Sequence, residues 1–199
     1  MTTSGLLLAA GAGRRMGRPK ALVEGWLERA VASLADCDDV LVVLGAQAGA
    51  ARALLPPDVA AVVAADWADG MGASLRTGLR ALADGGAERC VVTLVDLPDV
   101  GAEVVRRLLA AADGPVPGAV LARAAYAGTP GHPVLIGRDH WAGVARAAVG
   151  DQGAKAYLGP REVLLVECGD LATGVDRDTP DDTPDGTPTG DRSGLSGPS

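Results

Sequence analysis

The chain has 199 residues, 48% of them hydrophobic and 22% charged, with 28 Gly and 13 Pro. This mixture describes one folded α/β-sized domain with a substantial core and excludes collagenous or mostly disordered chains. The formal charge of −7 opposes a nucleic-acid surface, and with aromatics at 3% and no Phe there is little with which to stack bases. Cys37, Cys90 and Cys168 are odd in number and widely spaced, which argues against a disulfide framework or a zinc knuckle and for a reducing, cytoplasmic setting. The first apolar run, Leu6 to Ala10, is too short for a membrane span or a signal segment, and its basic residues follow it rather than precede it. No membrane partner is expected.

Short Val/Leu-rich runs bounded by Gly, Pro or Asp predict strands over 5–10, 40–44, 59–64, 90–95, 118–123, 132–136 and 163–167. Between them, apolar residues spaced by three and four predict helices over 26–34, 46–55, 73–83 and 101–112. The alternation gives an α/β sheet covered by helices. Beyond Val175 the chain turns to Asp, Thr, Pro, Gly and Ser. Six Asp against two Arg there carry four of the seven net negative charges, so the folded body is only mildly acidic. The expected organisation is a domain over 1–182 followed by an acidic, Pro/Gly/Ser-rich tail over 183–199 without fixed structure.

The first strand runs directly into Leu8-Ala9-Ala10-Gly11-Ala12-Gly13-Arg14-Arg15-Met16-Gly17-Arg18-Pro19-Lys20. Glycines at 11, 13 and 17 let backbone N–H groups turn towards a ligand, and Arg14, Arg15, Arg18 and Lys20 add four cations. A polyphosphate suits such a loop better than solvent alone does. The spacing matches neither a dinucleotide fingerprint, which needs Gly where Met16 stands, nor a P-loop, which would end in Gly-Lys-Ser/Thr.

This loop resembles the LAAGxGxRMGxPK motif of the molybdopterin nucleotidyltransferase family, closest to its CTP:molybdopterin cytidylyltransferases. Later blocks extend the resemblance over nearly the whole chain: Gly70-Met71-Gly72-Ala73-Ser74-Leu75, Asp96-Leu97-Pro98, Gly131-His132-Pro133-Val134-Leu135 and Asp176-Arg177-Asp178-Thr179-Pro180-Asp181-Asp182. The resemblance implies a three-layer, Rossmann-like nucleotidyltransferase fold with a mostly parallel mixed sheet of about seven strands. It also implies nucleotide binding by the loop, through Leu8, Ala9, Ala10, Gly11, Gly13 and Arg14, with Ala10 favouring cytosine where a second Gly accompanies guanine.

Asp96 follows the strand over 90–95, at the sheet edge where open α/β folds place ligand chemistry, and its carboxylate suits Mg²⁺. A helix cap for the segment near Gly101 is the competing reading. The closing block offers Asp178, in preference to Asp176, as the second metal ligand; the start of a helix is its alternative. Arg15 and Lys20 are the expected catalytic cations, meeting charge on the transferring group and the departing pyrophosphate. Gly72 and Ser74 are assigned to base or ribose contacts, against a capping role for Ser74, and His132 to the acceptor side, against a structural role. The ligands expected are a nucleoside triphosphate and a small phosphorylated acceptor such as molybdopterin, with a molybdoenzyme as client.

The chain also departs from the family pattern, with a short connection from Lys20 to Trp26, Ala64 in place of an Asn, and Leu97 in the metal block. Three other readings stay open: an NAD(P)H-dependent reductase of a pyridine-derived pigment on the same fold, a nucleotidyltransferase using GTP or a sugar phosphate, and a non-catalytic cofactor-delivery protein.

Overall fold

A computed structural model describes residues 1–178. The expected boundary at 182 and the tail over 183–199 lie outside the described residues. Seven strands form one sheet: β1 (Thr3–Ala9), β2 (Asp39–Leu44), β3 (Ala60–Val63), β4 (Arg89–Leu94), β5 (Leu121–Tyr126), β6 (Thr129–Gly137) and β7 (Leu164–Glu167). Their order is β3-β2-β1-β4-β6-β5-β7, and only β6 runs against the others. The fold is therefore the expected mostly parallel, mixed seven-stranded sheet.

Strand alternation builds the layers. Leu7 and Ala9 of β1 point into one core with Trp26, Leu27 and Ala30 of α1 (Trp26–Ala32), Ala51 of α2 (Ala48–Arg52) and Val104, Val105 and Leu108 of α4 (Ala102–Ala111). Leu6 and Leu8 point the other way, into a second core with Leu75, Leu79 and Leu82 of α3 (Met71–Ala83) and Trp141 and Val144 of α5 (Arg138–Ala147). A short α6 (Lys155–Leu158) leads into β7. Nearly all of these side chains are fully buried, each contributing roughly 1.5–3 kcal/mol of apolar transfer. Burial on both faces explains why β1 and β4 read as continuous apolar runs.

The topology sets the site. Because β1 and β4 are parallel neighbours, with Leu8 beside Leu94, the loops leaving their carboxyl ends emerge together. Since β6 is antiparallel, its first residues, including His132, lie at the same edge. Among the described residues no helix is long and apolar enough to cross a membrane.

Candidate active site

The loop after β1 turns tightly. Gly13 has φ +58°, and a Cβ there would stand 1.9 Å from the Arg18 carbonyl oxygen, so only glycine fits. The turn from Arg14 closes with the Gly17 N–H donating to the Arg14 carbonyl. Met16 anchors the loop in the core, leaving Arg14 and Arg15 exposed, and Lys20 then opens a short 3₁₀ turn over Lys20–Leu22.

Lys20 reaches back across the sheet edge. Its Nζ donates to Asp96 Oδ2 at 2.5 Å and to Asp178 Oδ1 at 2.6 Å, while the Arg15 guanidinium meets Asp178 Oδ2 at 2.8 Å. Two features of the chain bring Asp178 there. The Arg177 N–H donates to the Asp96 carbonyl at 3.0 Å, laying the closing segment against the end of β4. Upstream, Asp99 Oδ2 accepts from both the N–H and the hydroxyl of Thr173, at 2.6 and 2.5 Å. Sequence reasoning missed Asp99. The repeated Asp in Asp96-Leu97-Pro98-Asp99 was its only signal.

The electrostatics are opposed at the centre. Burial disfavours the charge on Lys20, but its hydrogen bonds to Asp178 and Asp96 outweigh that and hold the ammonium pKa above its ordinary value. Burial raises the Asp96 carboxyl, with the Lys20 hydrogen bond pulling the other way. Asp96 Oδ1 is buried and accepts no hydrogen bond from the described residues. Such an oxygen costs free energy unless a partner arrives.

These groups line a cavity of about 550 Å³, within the range of small-ligand sites. Leu8, Ala10, Gly11, Gly13, Arg14, Arg15, Lys20, Ser74, Asp96 and Asp178 all line it, so most of the expected residues converge. Ala9 does not; its side chain packs in the core on the other face of β1. Gly72 is also outside the lining; a Cβ there would meet the backbone of Ala148 and Val149 at 2.7–2.9 Å, so glycine lets that segment pack close against α3. Gly70 takes the lining position with φ +104°, beside Met71 and Trp67, none of which was singled out as a ligand contact.

His132 lies outside this lining. It is half-buried, and its pKa falls to about 4 through desolvation and the nearby Arg123 charge, so it is neutral at neutral pH. Its neighbour Gly131 lines a smaller cavity of about 360 Å³ that shares Asp176 with the main one. Tyr126 lines that cavity too and donates its hydroxyl to the His132 carbonyl at 2.6 Å.

Carboxylate oxygens of Asp96, Asp176 and Asp178 lie within 4.8 Å of one another. Three hard oxygen donors, one carrying the orphaned buried Oδ1 of Asp96, fit a divalent cation that completes its shell with water and phosphate. A Gly-rich cationic loop and a carboxylate cluster thus face one cavity.

The family model for the MobA-like NTP transferase domain matches residues 5–164. The chain belongs to that nucleotidyltransferase family. It is 38% identical over 194 residues to the nicotine blue oxidoreductase of Paenarthrobacter nicotinovorans, covering 88% of this chain and 92% of the relative. It is 33% identical over 149 residues to the molybdenum cofactor guanylyltransferase of Rhodobacter capsulatus, covering 71% and 66%. Among solved structures, the manganese complex of Rv0371C from Mycobacterium tuberculosis H37Rv superposes with a TM-score of 0.68 at 26% identity, covering 89% of this chain and 94% of that one.

Proposed function

We propose that the protein is a divalent-cation-dependent nucleotidyltransferase that moves a nucleoside monophosphate, CMP from CTP, onto a phosphorylated acceptor of the molybdopterin class. One observation carries the reading: Lys20 from the first loop, Asp96 from the end of β4 and Asp178 from the closing segment meet within hydrogen-bond distance at the mouth of one cavity. In this reaction an acceptor phosphate oxygen attacks the α-phosphorus in line, the bond to the β-phosphate oxygen breaks, and pyrophosphate leaves. No covalent link to the protein is needed. Arg14, Arg15 and the loop N–H groups hold the triphosphate, and Lys20 meets the charge that grows on the transferring group. Asp96 and Asp178, with Asp176 beside them, would hold Mg²⁺; when bound, the ion neutralises phosphate charge and orients the reacting oxygens. The related Rv0371C is known in complex with manganese, which supports a divalent-ion requirement.

Ala10 supports the cytosine choice through the family motif, whereas the R. capsulatus relative is named for guanylyl transfer, so GTP is the competing donor. The test is pyrophosphate release from CTP, GTP, ATP and UTP with molybdopterin as acceptor, with and without Mg²⁺. Release with CTP that needs both acceptor and metal supports the reading. Release with GTP alone would overturn the base choice, and no release with any nucleotide would overturn the transfer.

The P. nicotinovorans relative favours a second reading, reduction of a quinonoid pigment by NAD(P)H, because its identity extends over nearly the whole chain. Loss of pyridine-nucleotide absorbance in the presence of nicotine blue would select it. The cluster of Lys20 with three carboxylates suits metal-assisted phosphate chemistry, which places that reading second.

A further inference from the structure

Resting on the nucleotidyltransferase reading, this inference concerns how the site is held before substrate arrives. Lys20 Nζ sits 2.5 Å from one oxygen of Asp96 and 2.6 Å from one of Asp178, and Arg15 takes the second oxygen of Asp178 at 2.8 Å. These are two of the three carboxylates whose oxygens cluster within 4.8 Å. An ammonium shared by both carboxylates takes the space, and together with the Arg15 guanidinium supplies the charge, that a divalent ion held by the same oxygens would. A divalent ion cannot use the same two oxygens while the ammonium keeps them. What the two cations leave is the buried Asp96 Oδ1 and the exposed carboxylate of Asp176, too few protein ligands to hold a hard cation that takes about six oxygens or more.

The side chains suit an exchange. Lys20 carries a compact charge on a flexible stem, and the phosphate-facing Gly11 and Gly13 line the same cavity. A triphosphate seated on the loop offers oxygens to both Lys20 and Arg15, and these compete with the carboxylates for the two cations.

We propose that Lys20 is an internal stand-in for the divalent ion: the metal takes Asp96 and Asp178 only when a triphosphate draws Lys20, with Arg15, off the carboxylates and onto phosphate. Metal and nucleotide then bind cooperatively, each raising the affinity of the other by the same factor. Free metal without nucleotide binds weakly, and the stored contacts of the empty site pass to the substrate phosphates.

Water-proton relaxation with Mn²⁺ tests this directly, because it is enhanced when the ion sits on a macromolecule and far less when tripolyphosphate alone holds it. In the wild type, enhancement is expected with Mn²⁺ plus tripolyphosphate and only at much higher concentration with Mn²⁺ alone. Lys20→Met, or Lys20→Gln should the first variant fail to fold, is expected to bind Mn²⁺ alone roughly tenfold or more tightly than the wild type, the scale of one close charge contact near a protein surface. Arg14→Ala removes the same charge from the loop, but Arg14 makes no ion pair among the described residues. Its affinity for Mn²⁺ alone should stay within about twofold of wild type, since an exposed charge off the cluster is screened. Equal affinity of wild type and Lys20→Met for Mn²⁺ alone, or an equal gain in Arg14→Ala, would overturn the exchange while leaving the nucleotidyltransferase reading in place. Absence of enhancement in every mixture, with CTP and GTP included, would instead overturn the metal-dependent reading itself.

Discussion

Asp96→Asn separates a working carboxylate from a structural one. The side chain is 13% exposed; Oδ2 bonds Lys20 and Oδ1 is buried without a partner. Its folded-state pKa lies above the ordinary value because burial outweighs the Lys20 contact. The folded protein therefore holds the proton to a higher pH than the unfolded chain does, and stability falls as pH rises through that window. Asparagine removes the charge while keeping the shape and an acceptor for Lys20, which retains Asp178 in any case. Losing the charge on the Lys20 bond costs about 1–2 kcal/mol, and no longer burying an ionised carboxylate returns about 1–3 kcal/mol. The net lies between about 1 kcal/mol lost and about 2 kcal/mol gained, so Tm should fall by no more than about 4 °C or rise by up to about 8 °C in a chain of this size. Turnover should fall about 10²–10³-fold, the scale of losing one preorganised charge contact in a transition state. Thermal denaturation at neutral pH and pyrophosphate release measure the two. A Tm lowered by more than about 5 °C with release intact would show that Asp96 serves the fold and would refute the reasoning.

Three further outcomes follow from the same geometry. Asp99→Ala removes both bonds to Thr173, so stability should drop by about 1 kcal/mol, and Mn²⁺ affinity in the presence of tripolyphosphate should fall with it; unchanged affinity would show that the closing segment holds its place without Asp99. Gly72→Val drives a side chain into the Ala148–Val149 backbone and should cost about 1–3 kcal/mol in urea denaturation, whereas a loss of nucleotide affinity at wild-type stability would restore a ligand contact for that residue. His132 has a folded pKa of about 4 against 6.5 unfolded, so the unfolded chain binds the extra proton between those values and stability is lost as pH falls through that window. His132→Gln should flatten the pH dependence there by up to about 3 kcal/mol, read from denaturation midpoints at a series of pH values; an unchanged profile would show a freely titrating imidazole.

Much of this was legible in the chain because the informative residues are close in sequence or sit at strand ends. All seven strands stand near their predicted places. The fifth starts later, at Leu121, because Pro117–Ala119 form a 3₁₀ turn instead of its first residues. Helix α5 was missed for a physical reason: Arg138–Ala147 buries only Trp141 and Val144, so its apolar period is faint. α2 is shorter than its pattern suggested because Gln47 adopts a left-handed conformation ahead of Ala48. The meeting of Arg15, Lys20, Asp96 and Asp178 could be anticipated from the motif blocks. The bonds that enforce it, Arg177 to the Asp96 carbonyl and Thr173 to Asp99, span more than seventy residues and leave no local pattern. Gly72 shows where local pattern runs out, since a glycine next to a ligand loop reads the same whether it admits a substrate or a neighbouring backbone.

The central claim is that the loop cations and the carboxylates act on one polyanion through one divalent ion. The most direct measurement is a crystal structure with Mn²⁺ and a non-hydrolysable analogue of CTP or GTP, with the ion located by its anomalous scattering. The account predicts an anomalous peak on Asp96 and Asp178 that also contacts the analogue's phosphates, with Lys20 and Arg15 turned to those phosphates. A peak away from Asp96, or an analogue seated away from the loop of Gly11 and Gly13, would contradict it.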